Sequence, residues 1–334
     1  QNPTLWDTSN PYLYDMKVSL TKDGKVVDDV KSYTAFRKIS SKRDANGIMR
    51  MQLNNKNLFQ YGPLDQGWWP DGLYTAPTDE ALLYDIVKTK DWGFNMIRKH
   101  VKVEPARWYY HCDKEGILVW QDMPSGDMGN QWAPHTYNGG TDKERSSASI
   151  ANYYQEWKEI MDLCVSHPSV VVWVPFNEAW GQFDTEKVAE WTKNYDPSRL
   201  VNPASGGNHR ACGDILDLHN YPGQSMFLFD PQRVTVLGEY GGIGLPLENH
   251  LWWNKRNWGY VQFKNSDEVT AEYVKYANEL KEMVDRGFSA AVYTQTTDVE
   301  GEVNGLMTYD RKEIKINEAA VKKANQAVIN QLSK

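Results

Sequence analysis

The sequence predicts an α/β protein, a (β/α)8 TIM barrel preceded by a short all-β segment. Three observations carry that prediction. Its 334 residues suit one large domain with a small attachment. After about residue 48, short apolar runs alternate with amphipathic segments, as repeated βα units around a parallel sheet require. Eight such runs fall within roughly 275 residues, close to the ~250 usual for a barrel. The rival architecture is a doubly wound sheet. No G-x-G-x-x-G follows a strand, however, and Gly241-Gly242-Ile243-Gly244 lacks that spacing.

The elements follow in order. Tyr12, Tyr14, Met16, Val18 and Leu20 alternate with mostly polar residues, Lys22-Asp23-Gly24-Lys25 supplies a turn, and Val26 to Tyr33 resumes an extended run. Such a hairpin is too small to stand alone and reads as the end of a sandwich. Leu58 to Gly62 is the first barrel strand. Thr78 caps a helix bearing Leu82, Leu83, Ile86 and Val87 on one face, with Gly93 past its end. Phe94 to Arg98 is strand two; Pro105 opens a helix ending near Gly116; Ile117 to Trp120 is strand three and runs into Gln121 and Asp122. The polar stretch from Ser125 to Ser147 is long enough to be functional. A helix from Ile150 to Ser166 leads into Val170-Val171-Val172-Trp173-Val174, the most apolar strand of the chain. A helix from Asp184 to Asn194 follows, then strands Leu200 to Pro203, Asp214 to His219 and Val234 to Gly238. A helix from Ser266 to Arg286 precedes the last strand, Ala290 to Gln295.

Composition removes several function classes. With 37 Lys plus Arg against 44 Asp plus Glu, the net charge is −7 and no basic stripe marks a nucleic-acid surface. Mean hydropathy is −0.67, and no apolar run approaches the ~20 residues of a membrane-spanning helix. Cys112, Cys164 and Cys212 form no C-x-x-C pair and read as free thiols. The compartment stays open between a bacterial periplasmic or secreted location and the cytoplasm, and a homo-oligomer stays open as well. The 14 Trp and 19 Tyr provide flat rings that suit either sugar faces or a large core.

Active sites of barrels lie at the C-terminal strand ends. The polar residues there are Arg98 and His100, Asp122, Asn177 and Glu178, His219 and Tyr221, Glu239 and Tyr240, and Gln295. A carboxylate directly after a Val-rich strand must be paired or used, because bare burial costs several kcal/mol. Two glutamates facing each other fit glycoside cleavage, in which one protonates the departing oxygen while the other attacks the anomeric carbon. The alternative is that each caps the barrel rim in an ion pair with an arginine such as Arg98. Asn177 beside Glu178 favours catalysis, since it can donate to a sugar 2-hydroxyl. No metal or other cofactor is called for: a two-carboxylate mechanism needs none, and the histidines lack H-E-x-x-H spacing.

With Trp173-Val174-Pro175-Phe176-Asn177-Glu178-Ala179-Trp180 and Gly238-Glu239-Tyr240-Gly241-Gly242, the chain resembles glycoside hydrolase family 2, the group of β-galactosidases, β-glucuronidases and β-mannosidases. Gly93-Phe94-Asn95-Met96-Ile97-Arg98 and Leu118-Val119-Trp120-Gln121-Asp122 support the likeness. The resemblance implies Glu178 as general acid/base, Glu239 as nucleophile, Asn177 at the 2-hydroxyl, Tyr221 and Arg98 beside the nucleophile, and retention of configuration. It also implies that residues 1–45 are the incomplete C-terminal part of an immunoglobulin-like sandwich, with 46–334 as the catalytic barrel.

Two departures bear on the substrate. Many members have a His three residues after the strand-two Arg; here that position is Val101, and His100 lies one residue earlier. Where β-glucuronidases carry Asn-x-Lys, this chain has Glu302-Val303-Asn304. A glucuronide would meet a negative charge there, so a neutral hexose is expected, with galactose first. His219 either orients a sugar hydroxyl or is a satisfied rim histidine, and is not taken as a base. Leu251-Trp252-Trp253, Trp258, Tyr260 and Trp68-Trp69 could stack a sugar or aglycone, Trp253 foremost, or simply pack loops onto the barrel. The partner expected is thus an oligosaccharide or glycoside, and the competing class is a non-catalytic carbohydrate-binding barrel.

Overall fold

The computed structural model describes residues 2–126 and 131–333. Its strands are β1 (Tyr14–Lys22), β2 (Lys25–Thr34), β3 (Ile39–Arg43), β4 (Met49–Leu53), β5 (Lys56–Asn57), β6 (Gln60–Asp65), β7 (Met96–Lys99), β8 (Leu118–Asp122), β9 (Val170–Val174), β10 (Leu200–Val201), β11 (Ile215–His219), β12 (Val234–Gly241), β13 (Ile243–Gly244), β14 (Val261–Gln262) and β15 (Phe288–Thr294). The helices are α1 (Asp79–Asp91), α2 (Ala106–Glu115), α3 (Ser147–Cys164), α4 (Thr185–Tyr195), α5 (Ser266–Arg286) and α6 (Glu318–Ile329).

Eight strands pair in the order β10-β9-β8-β7-β6-β15-β12-β11, and every pairing is parallel. Strands β10 and β11 meet across the remaining seam, where the Asp214 N–H donates to the Val201 carbonyl at 2.8 Å. The molecule is therefore the TIM barrel that the sequence predicts, with all eight strands feeding one apolar interior: Leu64, Met96, Trp120, Val172, Leu200, Ile215, Val236 and Val292 belong to a single cluster. Trp6, Ile39, Met51 and Leu53 join that cluster from the N-terminal segment and close the barrel floor.

Several boundaries moved for identifiable reasons. The first barrel strand is Gln60–Asp65, not residues 58–62, because the Leu58 N–H donates to Met51 of the antiparallel β3-β4-β5 sheet. Residue 45 lies in the turn joining β3 to β4, which pair with each other. Helix α3 starts at Ser147, earlier than Ile150, because Ser146 caps it by accepting from the Ser149 N–H. Of the long loop before it, residues 127–130 lie outside the described residues. Among the described residues no helix follows β10 or β11, so helices follow six of the eight strands. The connecting segments carry Pro203, Gly206, Gly207 and Gly213 in one case and Pro222, Gly223 and Pro231 in the other, which lack the donors or the stiffness a helix needs.

The β1–β2 hairpin exposes both faces, including Val18 opposite Val30. It is tied to the barrel through Tyr33, whose hydroxyl donates to Asp113 at 2.7 Å. All three cysteines are free, two of them buried. No helix among the described residues is long and apolar enough to cross a membrane.

Trp6 tests how firmly the N-terminal segment belongs to the barrel. It is fully buried, and its indole N–H donates to the Asp113 carbonyl at 2.7 Å. Trp6→Ala should cost about 3–5 kcal/mol in urea unfolding. A loss under about 1 kcal/mol would show that the floor is not part of the cooperative core.

Candidate active site

The strand ends converge on a small acidic cluster. After β9, Pro175-Phe176-Asn177 carries the chain to the rim, where Asn177 bridges to Ser205 and the Glu178 N–H donates to the Ser205 carbonyl at 2.9 Å. Glu178 and Ala179 then adopt left-handed backbone, with φ of 47° and 62°. Non-glycine residues pay about 1–2 kcal/mol each for that conformation, and the strain turns the Glu178 side chain inward over the barrel mouth. Strand β12 delivers Glu239 from the opposite side. Gly238 before it has no room for a side chain, since a Cβ would lie 2.0 Å from the Asp217 carboxylate.

Carboxylate oxygens of Glu178 and Glu239, together with one His219 ring nitrogen, all lie within 4.8 Å of one another. Glu239 is 5% exposed and held at both oxygens. Arg98 Nη1 donates to Oε1 at 3.1 Å, and the Tyr221 hydroxyl donates to Oε2 at 2.7 Å. Tyr221 is in turn fixed by Thr294 at 2.7 Å and by face-to-face stacking on Tyr260, with centroids 3.6 Å apart. These donors hold both carboxylate oxygens in a fixed orientation. Burial and the neighbouring Glu239 charge push the Tyr221 phenol well above its ordinary value, so it remains a donor.

Arg98 lies beneath the two glutamates with no exposed surface. It donates to both Asp122 oxygens at 3.1 and 2.9 Å, to Asn177 Oδ1 at 2.6 Å and to the Gly238 carbonyl at 3.2 Å. Burial pushes the Asp122 carboxyl up, but Arg98 and His100 bring it net below its usual range. Arg98 thus joins Asp122, Asn177 and Glu239 in one buried hydrogen-bonded group. Asn177 spends its oxygen on Arg98, while its buried Nδ2 has no partner. That leaves one amide donor free beside Glu178.

His100 sits beside the pair, with Nδ1 3.3 Å from Asp122 and 3.9 Å from Glu239, and its ring contacts Trp180 edge-on. His219 Nδ1 lies 2.9 Å from Glu178 and 3.5 Å from Glu239. Burial favours a neutral His219, but Glu239 and Glu178 outweigh it and raise the ring's pKa. Burial likewise pushes the Glu178 carboxyl up, and the His219 hydrogen bond and charge bring it net below the ordinary value. Glu178, His219 and Glu239 also form the grouping among the described residues with spacing that could hold a cation. Hydrogen bonds already account for all three.

Gln295 completes a side wall. Its Nε2 donates to Asn304 Oδ1 at 2.8 Å and its Oε1 accepts from Gln66 at 2.8 Å, while Asn304 donates to Glu302 at 2.9 Å. Burial, followed by the Glu239 charge, holds the Glu302 carboxyl above its ordinary range. Trp253 is 43% exposed and lines a groove of about 640 Å³ with Trp252, Arg256, Trp258, Glu300 and Gly301. Trp69 is buried beneath the Arg311 guanidinium at 3.8 Å, so that ring packs the loop.

Comparison with known proteins follows from this geometry. The pattern described as "Glycosyl hydrolases family 2, TIM barrel domain" matches residues 65–223, and the one described as "Glycosyl hydrolases family 2" matches residues 1–37. This chain belongs to glycoside hydrolase family 2. The β-galactosidase of Vibrio vulnificus (strain YJ016) is 27% identical over 217 residues, which are 65% of this chain and 20% of that protein. The structure of the β-D-glucuronidase of Dictyoglomus thermophilum superposes with a TM-score of 0.72 at 15% identity, over 100% of this chain and 60% of that one. The family 2 β-galacturonidase of Eisenbergiella tayi, bound to galacturonate, gives 0.67 at 16% identity, over 97% and 60%. At such identities the structural likeness is one of fold. The chain spans about a fifth of the length of the curated relatives it matches.

Sequence reasoning missed three members of this family 2 site. Asp217 and His219 stand two apart on β11 and so share a face, a polar pair in an otherwise apolar strand that period-2 reading could have flagged. Ser205 and Thr294 carry no sequence signal: each is an ordinary hydroxyl residue until the fold sets it beside His219 or Tyr221.

Proposed function

We propose that the chain is the catalytic part of a retaining exo-β-glycosidase acting on a neutral hexose, a β-galactosidase, with Glu239 as nucleophile and Glu178 as general acid/base. One observation carries this reading: one oxygen of each strand-end carboxylate lies within 4.8 Å of the other across the barrel mouth. Retaining enzymes place the pair about 5–5.5 Å apart, whereas inverting ones need about 6.5–9.5 Å for a water between them. The surroundings divide the roles. Glu239 is pinned at both oxygens by Arg98 and Tyr221 as suits an oriented nucleophile, while Glu178 is more open and adjoins the His219 ring.

The sugar choice rests on the wall at 302–304. Glu302 is a carboxyl held by Asn304 where a positive group would serve a uronate, so an acidic sugar gains nothing there and meets like charge. β-Mannoside or β-glucuronide cleavage, the second of these carried in the names of several solved relatives, is the alternative.

Nitrophenyl β-galactoside, mannoside, glucoside and glucuronide decide among these readings. The galactoside should turn over fastest, with the β-anomer of the free sugar appearing first by NMR. Preference for the glucuronide would overturn the reading of Glu302; first appearance of the α-anomer would overturn retention. A chain that binds sugars and cleaves none would be the carbohydrate-binding alternative.

A further inference from the structure

His219 is connected in a way that neither sugar binding nor simple packing explains. Its ring is 7% exposed and lies flat on Gly206, where any Cβ would stand 2.1 Å from the ring. That residue has φ of 56°, so glycine suits both the conformation and the contact. The ring is thus locked in place.

Its neighbours fix its protons. Nδ1 faces Glu178 Oε1 at 2.9 Å and Glu239 Oε2 at 3.5 Å; ionised carboxylates only accept, so while both glutamates are ionised Nδ1 carries the hydrogen. Nε2 faces Ser205 Oγ at 2.8 Å. The Ser205 hydrogen is committed to Asp217 Oδ2 at 2.5 Å, and Asn202 Nδ2 donates to the same oxygen at 2.6 Å, so Ser205 is an acceptor toward His219. Arg98 Nη1, 3.5 Å from Nε2, is a donor already engaged with Glu239 and the Gly238 carbonyl. Both ring nitrogens are therefore donors, and the ring is an imidazolium. The charged groups around it are Arg98 from β7, Glu178 after β9, Asp217 from β11 and Glu239 from β12. Three acids face it against one base.

We propose that His219 is the proton reservoir of this site: an imidazolium that lends its Nδ1 proton to Glu178 when a glycoside fills the pocket and recovers it after hydrolysis. The inference rests on the glycosidase reading above and deepens it. It answers a difficulty of this site, where His219 holds the Glu178 carboxyl below its ordinary value although the first chemical step needs an acid. As the sugar ring acquires positive charge beside the imidazolium, repulsion favours neutral His219. The Nδ1–H bond breaks and an O–H bond forms on Glu178, with Nε2–H kept on Ser205. Glu178 then protonates the glycosidic oxygen as that oxygen takes the electron pair of the breaking C1–O bond, and a Glu239 oxygen bonds to C1. Water next attacks C1, the Glu239–C1 pair returns to the carboxylate, and the water proton passes through Glu178 back to Nδ1. Protons and electron pairs balance over the cycle, and no further reactant is needed.

The test is a pH profile of kcat/KM with His219→Asn, on a phenyl glycoside that needs the acid and a dinitrophenyl glycoside that does not. For the phenyl glycoside the alkaline limb should move at least about one unit toward acid, because Glu178 must then hold its own proton. At pH 7.5 the phenyl substrate should lose at least about tenfold more than the dinitrophenyl one, each unit of limb being about tenfold. An unmoved limb, or equal losses on both substrates, would overturn the proposal and leave the glycosidase reading intact. A wild-type chain inert to every glycoside would overturn both. Should the variant not fold, ¹⁵N NMR of the wild-type imidazoles answers alone: His219 should show two protonated nitrogens at pH 7.5, and a neutral ring there refutes the assignment.

Discussion

Glu239→Gln should lower kcat/KM for any accepted aryl glycoside by at least about 10⁴-fold, close to 5 kcal/mol of transition-state stabilisation. The amide is nearly the same shape and can still meet Arg98 and Tyr221, which now flank both carboxylate oxygens at 3.1 and 2.7 Å, so the fold should persist. What disappears is the anion that attacks C1. The glutamates separate by their response to added azide. With Glu239→Ala, azide can enter from the vacated face and give the α-glycosyl azide. With Glu178→Ala, the covalent intermediate still forms from activated substrates, and azide gives the β-product. If Glu239→Gln kept activity within about tenfold of wild type, the nucleophile would have to be sought elsewhere. If the azide products were reversed, the two roles would be exchanged.

Arg98→Met should destabilise the barrel by about 3–5 kcal/mol at pH 7, because it leaves Asp122 and Glu239 buried without their shared cation. The pH dependence distinguishes lost charge from lost packing. Asp122 has a folded pKa below its unfolded value, so it contributes stability above about pH 4, which fades as pH falls through that range. The variant lacks this contribution. The gap between wild type and variant should therefore hold its full size from neutral pH down to about pH 4 and narrow only below it in urea unfolding. A gap independent of pH would assign Arg98 a packing role alone, and a gap under about 1 kcal/mol would show the buried network to be dispensable.

Other residues show where reading the sequence succeeded and where it stopped. Thr78 caps α1 by accepting from the Ala81 N–H, and Gly116 ends α2 in the left-handed region, because caps and left-handed turns are decided within a few residues. Strand ends placed Glu178, Glu239, Asn177, His219 and Tyr221 near one mouth, since barrel geometry sends all such ends the same way. The first barrel strand was misplaced because Leu58 is apolar in either pairing, and only its bond to Met51 assigns it to the floor sheet.

By itself the sequence determined the alternation of strands and helices, the barrel that alternation implies, and which two acids stand at strand ends, because periodicity, caps and apolar runs are local properties of the chain. Only the tertiary structure decided that Arg98 lies beneath the acids, that Ser205 and Asp217 lock His219 between Glu178 and Glu239, and that Asn177 keeps one free donor. Those relations depend on how residues from five different strands and their loops are set within hydrogen-bond reach by barrel closure, and no spacing along the chain encodes a distance across it.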